Sequence, residues 1–100
     1  MILNVATIAS LTNASSTSTA FVYAGGEKTV AIYGDFDGGT VKIQASLAEG
    51  SSNFIYLKDN SGADLAFTED SIFKLDIGKC QIRFISTGHS SDLSVTIKAS

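Results

Sequence analysis

The stretch Tyr33-Gly-Asp-Phe-Asp-Gly-Gly-Thr-Val-Lys-Ile-Gln-Ala-Ser46 contains a turn that is followed directly by a strand. Apolar and polar residues alternate from Thr40 to Ser46, which is the period-2 pattern of a half-buried strand. Residues 34–39 supply glycines that tolerate positive φ and aspartates that bond to their own backbone. The stretch therefore predicts a hairpin between a strand ending near Tyr33 and a strand beginning near Thr40.

Short extended segments of this kind recur from residue 20 to the end of the chain. Turn-forming residues separate them, and the clearest examples are Gly25-Gly26, Asp59-Asn60-Ser61-Gly62, Gly78 and residues 87–91. No segment develops an apolar face at helical spacing. About eight short strands joined by such turns predict an all-β protein, an antiparallel β-sandwich of jelly-roll-like type.

The first 19 residues differ in composition from the rest. Residues 5–11 are apolar enough for a short edge strand, whereas residues 12–19 form a connector of small polar residues. Two interpretations stay open: an N-terminal arm that pairs with a neighbouring subunit, or a first strand followed by a long loop. The predicted organisation is an arm with its connector over residues 1–19 and a β-sandwich domain over residues 20–100.

Length and charge limit the classes of function. One hundred residues suit one domain with a single core, and 44% hydrophobic residues supply that core. The net charge is −3 and the seven Lys and Arg residues are scattered singly, which argues against binding to nucleic acid. No apolar segment approaches the roughly 20 residues of a membrane span, and the N-terminus lacks the features of a signal peptide. We expect a soluble protein made in the cytoplasm.

Few residues suggest chemistry. Asp35 and Asp37 begin like a calcium-binding loop, but the bidentate Glu that closes such a loop is missing, so the sequence favours a structural turn over an ion site. The single histidine, His89, lies in a loop with serines and Asp92. Neighbouring residues of one loop do not supply the geometry of a catalytic triad, so the sequence argues against catalysis there. Glu69 and Asp70 are neighbours and point to opposite faces of an extended chain, unlike the paired acids of glycosidases. We expect no enzymatic activity and no cofactor.

The single cysteine, Cys80, has no partner for a disulfide or a metal pair. It shares one face of a predicted strand with Ile82 and Phe84, and so predicts a small buried side chain. Ser and Thr together make up 23 of the 100 residues, so the outward faces of the strands carry mostly uncharged hydroxyl groups. Such faces lose water to a protein partner at modest cost, because hydroxyls re-form hydrogen bonds more cheaply than charges do.

A series of short motifs follows the predicted strands: Gly34 and Phe36, Gly39 to Ser46, Phe54 with Leu57, Gln81 to Phe84, and Leu93 to Ile97. Their order resembles that of small virion proteins of tailed bacteriophages, and most of all the capsid cement, or head decoration, proteins. The resemblance spans most of residues 28–98 and describes a strand framework without an active site. Many proteins of this group have Trp after the Gly-containing loop, where this chain has Phe54.

The resemblance implies a β-sandwich or jelly-roll virion protein, assembled in the host cytoplasm, that binds the major capsid protein in many copies on the capsid surface. It also implies self-association as a homotrimer or homodimer. The alternative is a tail, neck or fibre module that recognises a host glycan or another virion protein. We expect the contacts to use the arm and the strand near residue 55, which has apolar residues on both faces. The predicted contact residues are Ile2, Leu3, Val5, Ile8, Leu11, Phe54 and Tyr56.

Overall fold

The structure is a computed structural model that describes residues 5–47 and 53–100. Nine β-strands make up its architecture. They are β1 (Ala6–Thr12), β2 (Phe21–Tyr23), β3 (Gly26–Asp35), β4 (Thr40–Ser46), β5 (Ile55–Tyr56), β6 (Ala66–Phe67), β7 (Ser71–Ile77), β8 (Cys80–Thr87) and β9 (Ser94–Ala99). The described part of the chain contains no helix long and apolar enough to cross a membrane.

The strands form two antiparallel sheets. The first sheet has the order β1-β9-β3-β7, and the second has the order β2-β8-β4-β5, with β6 also paired to β4. Since β5 and β6 both pair with β4, they share one strand position. The strands then pair in order from the two ends of the chain inward: β1 with β9, β2 with β8, and β3 with β7. This is a long hairpin rolled over itself, so the prediction of an antiparallel jelly-roll sandwich is confirmed.

The core lies between the two sheets and follows the alternation in the sequence. Val41 and Ile43 of β4 are fully buried, as are Ile82 and Phe84 of β8 on the same sheet. The facing sheet contributes a matching set, namely Leu11, Val30, Ile32, Val95 and Ile97. Burial of one such side chain contributes roughly 1.5–3 kcal/mol, so these alternating positions dominate the stability of the fold.

The turn after Tyr33 joins the two sheets. Strand β3 lies in the first sheet and β4 in the second, and the two strands do not pair with each other. The prediction of a hairpin at this turn is therefore wrong, although both strands were expected where they occur. Turn-forming residues mark a change of chain direction, but they carry no information on whether the next strand stays in the same sheet. The turn at Asp59–Gly62 does join strands of one sheet, β5 and β6, through the bridge between Lys58 and Asp64.

The N-terminal segment is part of the sandwich. Strand β1 pairs with β9 at both of its ends, with a register shift between Thr7 and Ala9, and Leu11 is fully buried in the core. Of the two interpretations left open for this segment, the structure has the first strand followed by a loop. The polar connector lies along β8, where the Ser18 N–H donates to the Phe84 carbonyl at 2.8 Å and the Ser86 N–H donates to the Ser16 carbonyl at 2.8 Å.

Candidate interaction surfaces

The two aspartates considered as ion ligands bond to the backbone. The Asp37 N–H donates to Asp35 Oδ1 at 2.9 Å, and the Asp92 N–H donates to Asp37 Oδ2 at 2.7 Å. Asp37 itself has a positive φ of 51°, a conformation that Asp tolerates better than most residues. Within residues 5–47 and 53–100, no cluster of three or more His, Cys, Asp or Glu side chains is placed to hold a metal ion. The geometry therefore supports turn stabilisation by both carboxylates.

The loops around residues 35–39 and 87–92 meet at one end of the sandwich. The Ser90 N–H donates to the Asp37 carbonyl at 3.2 Å. Gly39 permits the close approach, because a Cβ at this position would lie 2.8 Å from His89 Cβ. The two loops form one joined surface, which the sequence did not predict because their positions are far apart along the chain.

His89 bonds to a serine near the end of strand β8. Its Nδ1 atom lies 3.1 Å from Ser86 Oγ, and Ser86 is only 3% exposed. A serine nucleophile must reach its substrate, so a buried hydroxyl does not fit that role. The pair instead fixes the position of the loop after β8.

Of the adjacent acids Glu69 and Asp70, the second has a structural partner. Asp70 Oδ1 accepts a hydrogen bond from the Gly34 N–H at 3.0 Å, which links the end of β3 to the segment before β7. The Glu69 carbonyl accepts a hydrogen bond from Ser71 Oγ at 2.9 Å. The side chain of Asp70 and the backbone of Glu69 thus both stabilise the loop end before β7.

Charged side chains cover the outer face of the second sheet. Asp64 binds Lys42 Nζ through Oδ2 at 3.0 Å and binds Lys58 through Oδ1. The hydrogen bonds from Lys58 and Lys42 hold the pKa of Asp64 below its usual value. On the neighbouring strand, Arg83 Nε donates to Gln44 Oε1 at 2.7 Å, and Gln44 is buried beneath it.

The aromatic contact residues predicted near residue 55 belong to this outer face. The Arg83 guanidinium lies 4.1 Å from the ring centroid of Phe54, and Lys42 Nζ lies 5.1 Å from the ring centroid of Tyr56. Cation–π contacts of this kind keep one face of each ring covered within the monomer. Both rings are half-buried, and the structure leaves their role in contacts with a partner as a prediction.

Ile55, between those two aromatic residues, is the more exposed side chain. It is 71% exposed and faces the opposite side of its sheet, since it pairs with the inward-facing Ala45. A cleft of about 430 Å³ opens beside it at the end of the sandwich, lined among others by Leu57, Ile77 and Cys80. Cys80 is half-buried, less than the sequence predicted, and burial raises the pKa of its thiol. The period-2 pattern through residues 54–57 places Ile55 on the opposite face from Phe54 and Tyr56. Because both faces of this segment are apolar, the sequence did not show that Ile55 is the exposed side chain.

The outer face of the first sheet carries a row of hydroxyl groups. Ser10, Thr96 and Tyr33 lie next to one another across β1, β9 and β3. Thr12 and Ser94 form a second pair beside them. Ser10, Thr12 and Ser94 are exposed. The outward positions of β1 and β9 and the end of β3 thus carry hydroxyl groups, as the composition indicated, whereas the β7 side of the same face carries charges, with Lys74 Nζ 3.9 Å from Glu27 Oε2.

The predicted contact residues of the arm fall into three groups. Val5 is 44% exposed at the start of the described chain, whereas Ile8 is half-buried and packs against the core. Leu11 is fully buried, so its side chain offers no area to a partner of the folded monomer. Ile2 and Leu3 lie outside the described residues.

Fold and surfaces together define a jelly-roll β-sandwich. The outer face of the first sheet carries hydroxyl groups on β1, β9 and the end of β3 and charged residues near β7, and an ion network lies on the outer face of the second sheet. Comparison of the chain with known protein families, with curated proteins and with solved structures found no match.

Proposed function

We propose that this protein is a structural virion protein, a capsid cement protein that binds the outer shell in many copies and stabilises contacts between major capsid subunits. The observation that carries the proposal is the hydroxyl row Ser10, Thr96 and Tyr33 on the outer face of the first sheet. The resemblance of the strand framework to phage decoration proteins and the jelly-roll order of the strands agree with it.

The outer face of the first sheet suits a contact between proteins. Its hydroxyl groups exchange water for partner groups at modest cost, and strands keep them at fixed spacing. A stable contact of standard size buries on the order of 800 Å² on each partner. Even a modest affinity, repeated around a shell, resists outward pressure through multivalency.

The cementing role is tested on particles with and without the protein. We expect shells that carry it to survive higher temperature and a stronger osmotic shock than shells that lack it. Equal tolerance of the two kinds of particle, at full occupancy of the protein, would overturn the proposal.

The contact face is tested by a matched pair of variants. Thr96→Glu places a charge at the centre of the hydroxyl row, and Thr87→Glu makes the same change at the end of β8 in the other sheet. An unpaired charge in a desolvated contact is costly, so we expect Thr96→Glu to weaken shell binding at least about tenfold. Thr87→Glu should bind like the unchanged protein. Equal binding of both variants would exclude the outer face of the first sheet as the contact.

A second candidate function is supported by the joined surface of loops 35–39 and 87–92. Two loops held together by backbone hydrogen bonds present a fixed surface, which fits a tail, neck or fibre module that recognises a host glycan or another virion protein. The copy number on particles separates the candidates. Hundreds of copies indicate the shell, whereas a few copies together with binding on a glycan array indicate the tail or fibre.

A further inference from the structure

The two sheets have edge strands that differ in length and regularity. Strand β2 has three residues, and β5 and β6 have two residues each. Strand β1 is longer, but its register with β9 shifts between Thr7 and Ala9. Strand β7 keeps an unbroken register with β3 over all seven residues, Ser71–Ile77. Short and irregular edges resist pairing with another chain, so among the described strands β7 is the edge best suited to accept one.

The hydrogen bonds of β3 show which groups of β7 point to the free edge. Neighbouring residues of a central antiparallel strand direct their N–H and C=O groups to opposite sides. The Thr29 carbonyl accepts from Ser100 beyond β9, and the Gly34 N–H points to Asp70 near β7. The backbone N–H and C=O groups of the even-numbered residues of β3 thus point to β7. The register pairs Val30 with Phe73 and Lys28 with Leu75, so the backbone groups of Phe73 and Leu75 point to β3.

The remaining residues of β7, Ile72, Lys74 and Asp76, therefore direct their backbone groups away from the sheet. No described residue outside the sheet makes a backbone hydrogen bond to them. Their side chains are exposed on the outer face of the sheet, and Ile72 is 76% exposed. A second strand placed here would find both unpaired backbone groups and a defined pattern of side chains.

We propose that β7 pairs antiparallel with β7 of a second copy of this chain, about a two-fold axis at Leu75. In this register Lys74 of each copy lies opposite Asp76 of the other, so two pairs of opposite charges form. These are also the residues whose backbone groups face the edge, so the same pairs carry the new hydrogen bonds. The two copies of the first sheet then form one continuous sheet.

The neighbouring registers are less favourable. An axis at Lys74 places this lysine opposite itself, and an axis at Phe73 places Asp76 opposite Asp70. Like charges directly opposite each other destabilise a strand pair. The axis at Leu75 also brings Phe73 of one copy opposite Ile77 of the other. Both side chains are half-buried at the rim of the core, and the dimer covers them further. The inference goes beyond the proposed function and does not rest on it.

Sedimentation analysis of the purified protein and three charge variants tests the register. Lys74→Asp places two acids opposite each other, and Asp76→Lys places two lysines opposite each other. We expect each single change to weaken the dimer about tenfold or more, because symmetry doubles its effect. The double change Lys74→Asp with Asp76→Lys restores opposite charges and should recover the dissociation constant of the unchanged protein.

Lys98→Asp is the matched control, since it makes the same change of charge on the outer face of the same sheet, in β9, and should leave the dimer intact because β3 separates β9 from the β7 edge. Urea unfolding of each variant verifies that the monomer is folded. A protein that stays monomeric up to about 1 mM overturns the proposal. Single variants that dimerise normally exclude the β7 edge, and a double variant that does not recover excludes the axis at Leu75. None of these measurements involves capsid shells, so their outcome is separate from that of the cement function.

Discussion

The two edge strands of the first sheet, β1 and β7, each have seven residues but meet solvent in different ways. Strand β1 carries no charged residue, and the register shift between Thr7 and Ala9 interrupts its edge. Strand β7 is regular and carries Lys74 and Asp76 on its exposed side. The comparison shows that the sandwich protects one edge by irregular pairing and leaves the other regular, with a charge pattern that is complementary to itself.

The largest loss of stability should come from a substitution in β3, which lies between the two edge strands of the first sheet. β3 joins the β1-β9 half of the sheet to β7, and Gly34 near its end has a φ of 130°. A Cβ at this position would lie 2.2 Å from the Ser94 carbonyl oxygen on β9. Gly34→Ala should therefore lower the free energy of unfolding by at least about 4 kcal/mol, as measured by urea denaturation.

Gly62→Ala is the control for this substitution. Gly62 also has a positive φ, 87°, but a Cβ there would meet no atom within 4 Å. The change should cost only about 1 kcal/mol, because backbone strain alone acts. Similar losses for both variants would show that β3 and β9 are not as close at Gly34 as the structure has them.

The next largest loss of stability is expected in β1 and not in β7, which compares the two edge strands directly. Leu11 of β1 is fully buried, so Leu11→Ala should leave a cavity and cost about 3 kcal/mol of unfolding free energy. Ile72 of β7 is 76% exposed, and Ile72→Ala should change the stability of the monomer by less than about 0.5 kcal/mol. Both are measured by urea denaturation at low protein concentration. A loss below about 1 kcal/mol for Leu11→Ala would instead indicate an arm that is only loosely attached.

The sequence predicted the strands better than their pairing. Alternation predicted the fully buried residues Val41 and Ile43 of β4 and Val95 and Ile97 of β9, because the period of 2 follows directly from strand geometry. It did not predict the burial of Gln44 and Ser46 on the other face of β4. The hairpin expected after Tyr33 was wrong, since local turn residues do not specify which sheet a strand joins. That choice depends on contacts between distant residues, such as the close approach of Gly34 to Ser94.

The surfaces were predictable only in part. The hydroxyl groups of the first sheet followed from composition and alternation, but the bonds of Asp37 to residues 90 and 92 join loops more than 50 positions apart. The free edge of β7 required the strand order, because an edge is a property of the sheet and not of the segment. The aromatic residues Phe54 and Tyr56 were expected to face a partner, whereas cations of their own chain cover one face of each ring.

The smallest effect concerns the edge of the second sheet, where β5 and β6 are short and an ion network closes the hairpin that connects them, at the bridge between Lys58 and Asp64. Lys58 and Lys42 both bind Asp64 and lower its pKa below the usual 3.8. A carboxyl group whose pKa is lower in the folded state stabilises the fold above its unfolded pKa, and this contribution is lost as the pH falls through the folded pKa. Asp64→Asn should therefore lower the urea midpoint at about pH 7, with a difference that shrinks once the pH drops below 3.8.

The matched control for this variant is Asp59→Asn in the same hairpin. Asp59 accepts hydrogen bonds from Ser61 and Ala63, and these bonds lower its pKa without any lysine. Added salt screens ion pairs, so salt should reduce the effect of Asp64→Asn more than that of Asp59→Asn. An equal response of the two variants to salt would show that the lysines around Asp64 add nothing to the closure of this edge. The second sheet would then rely on the shortness of β5 and β6 alone to limit its pairing with other chains, whereas the regular β7 edge of the first sheet carries charges that complement a second copy.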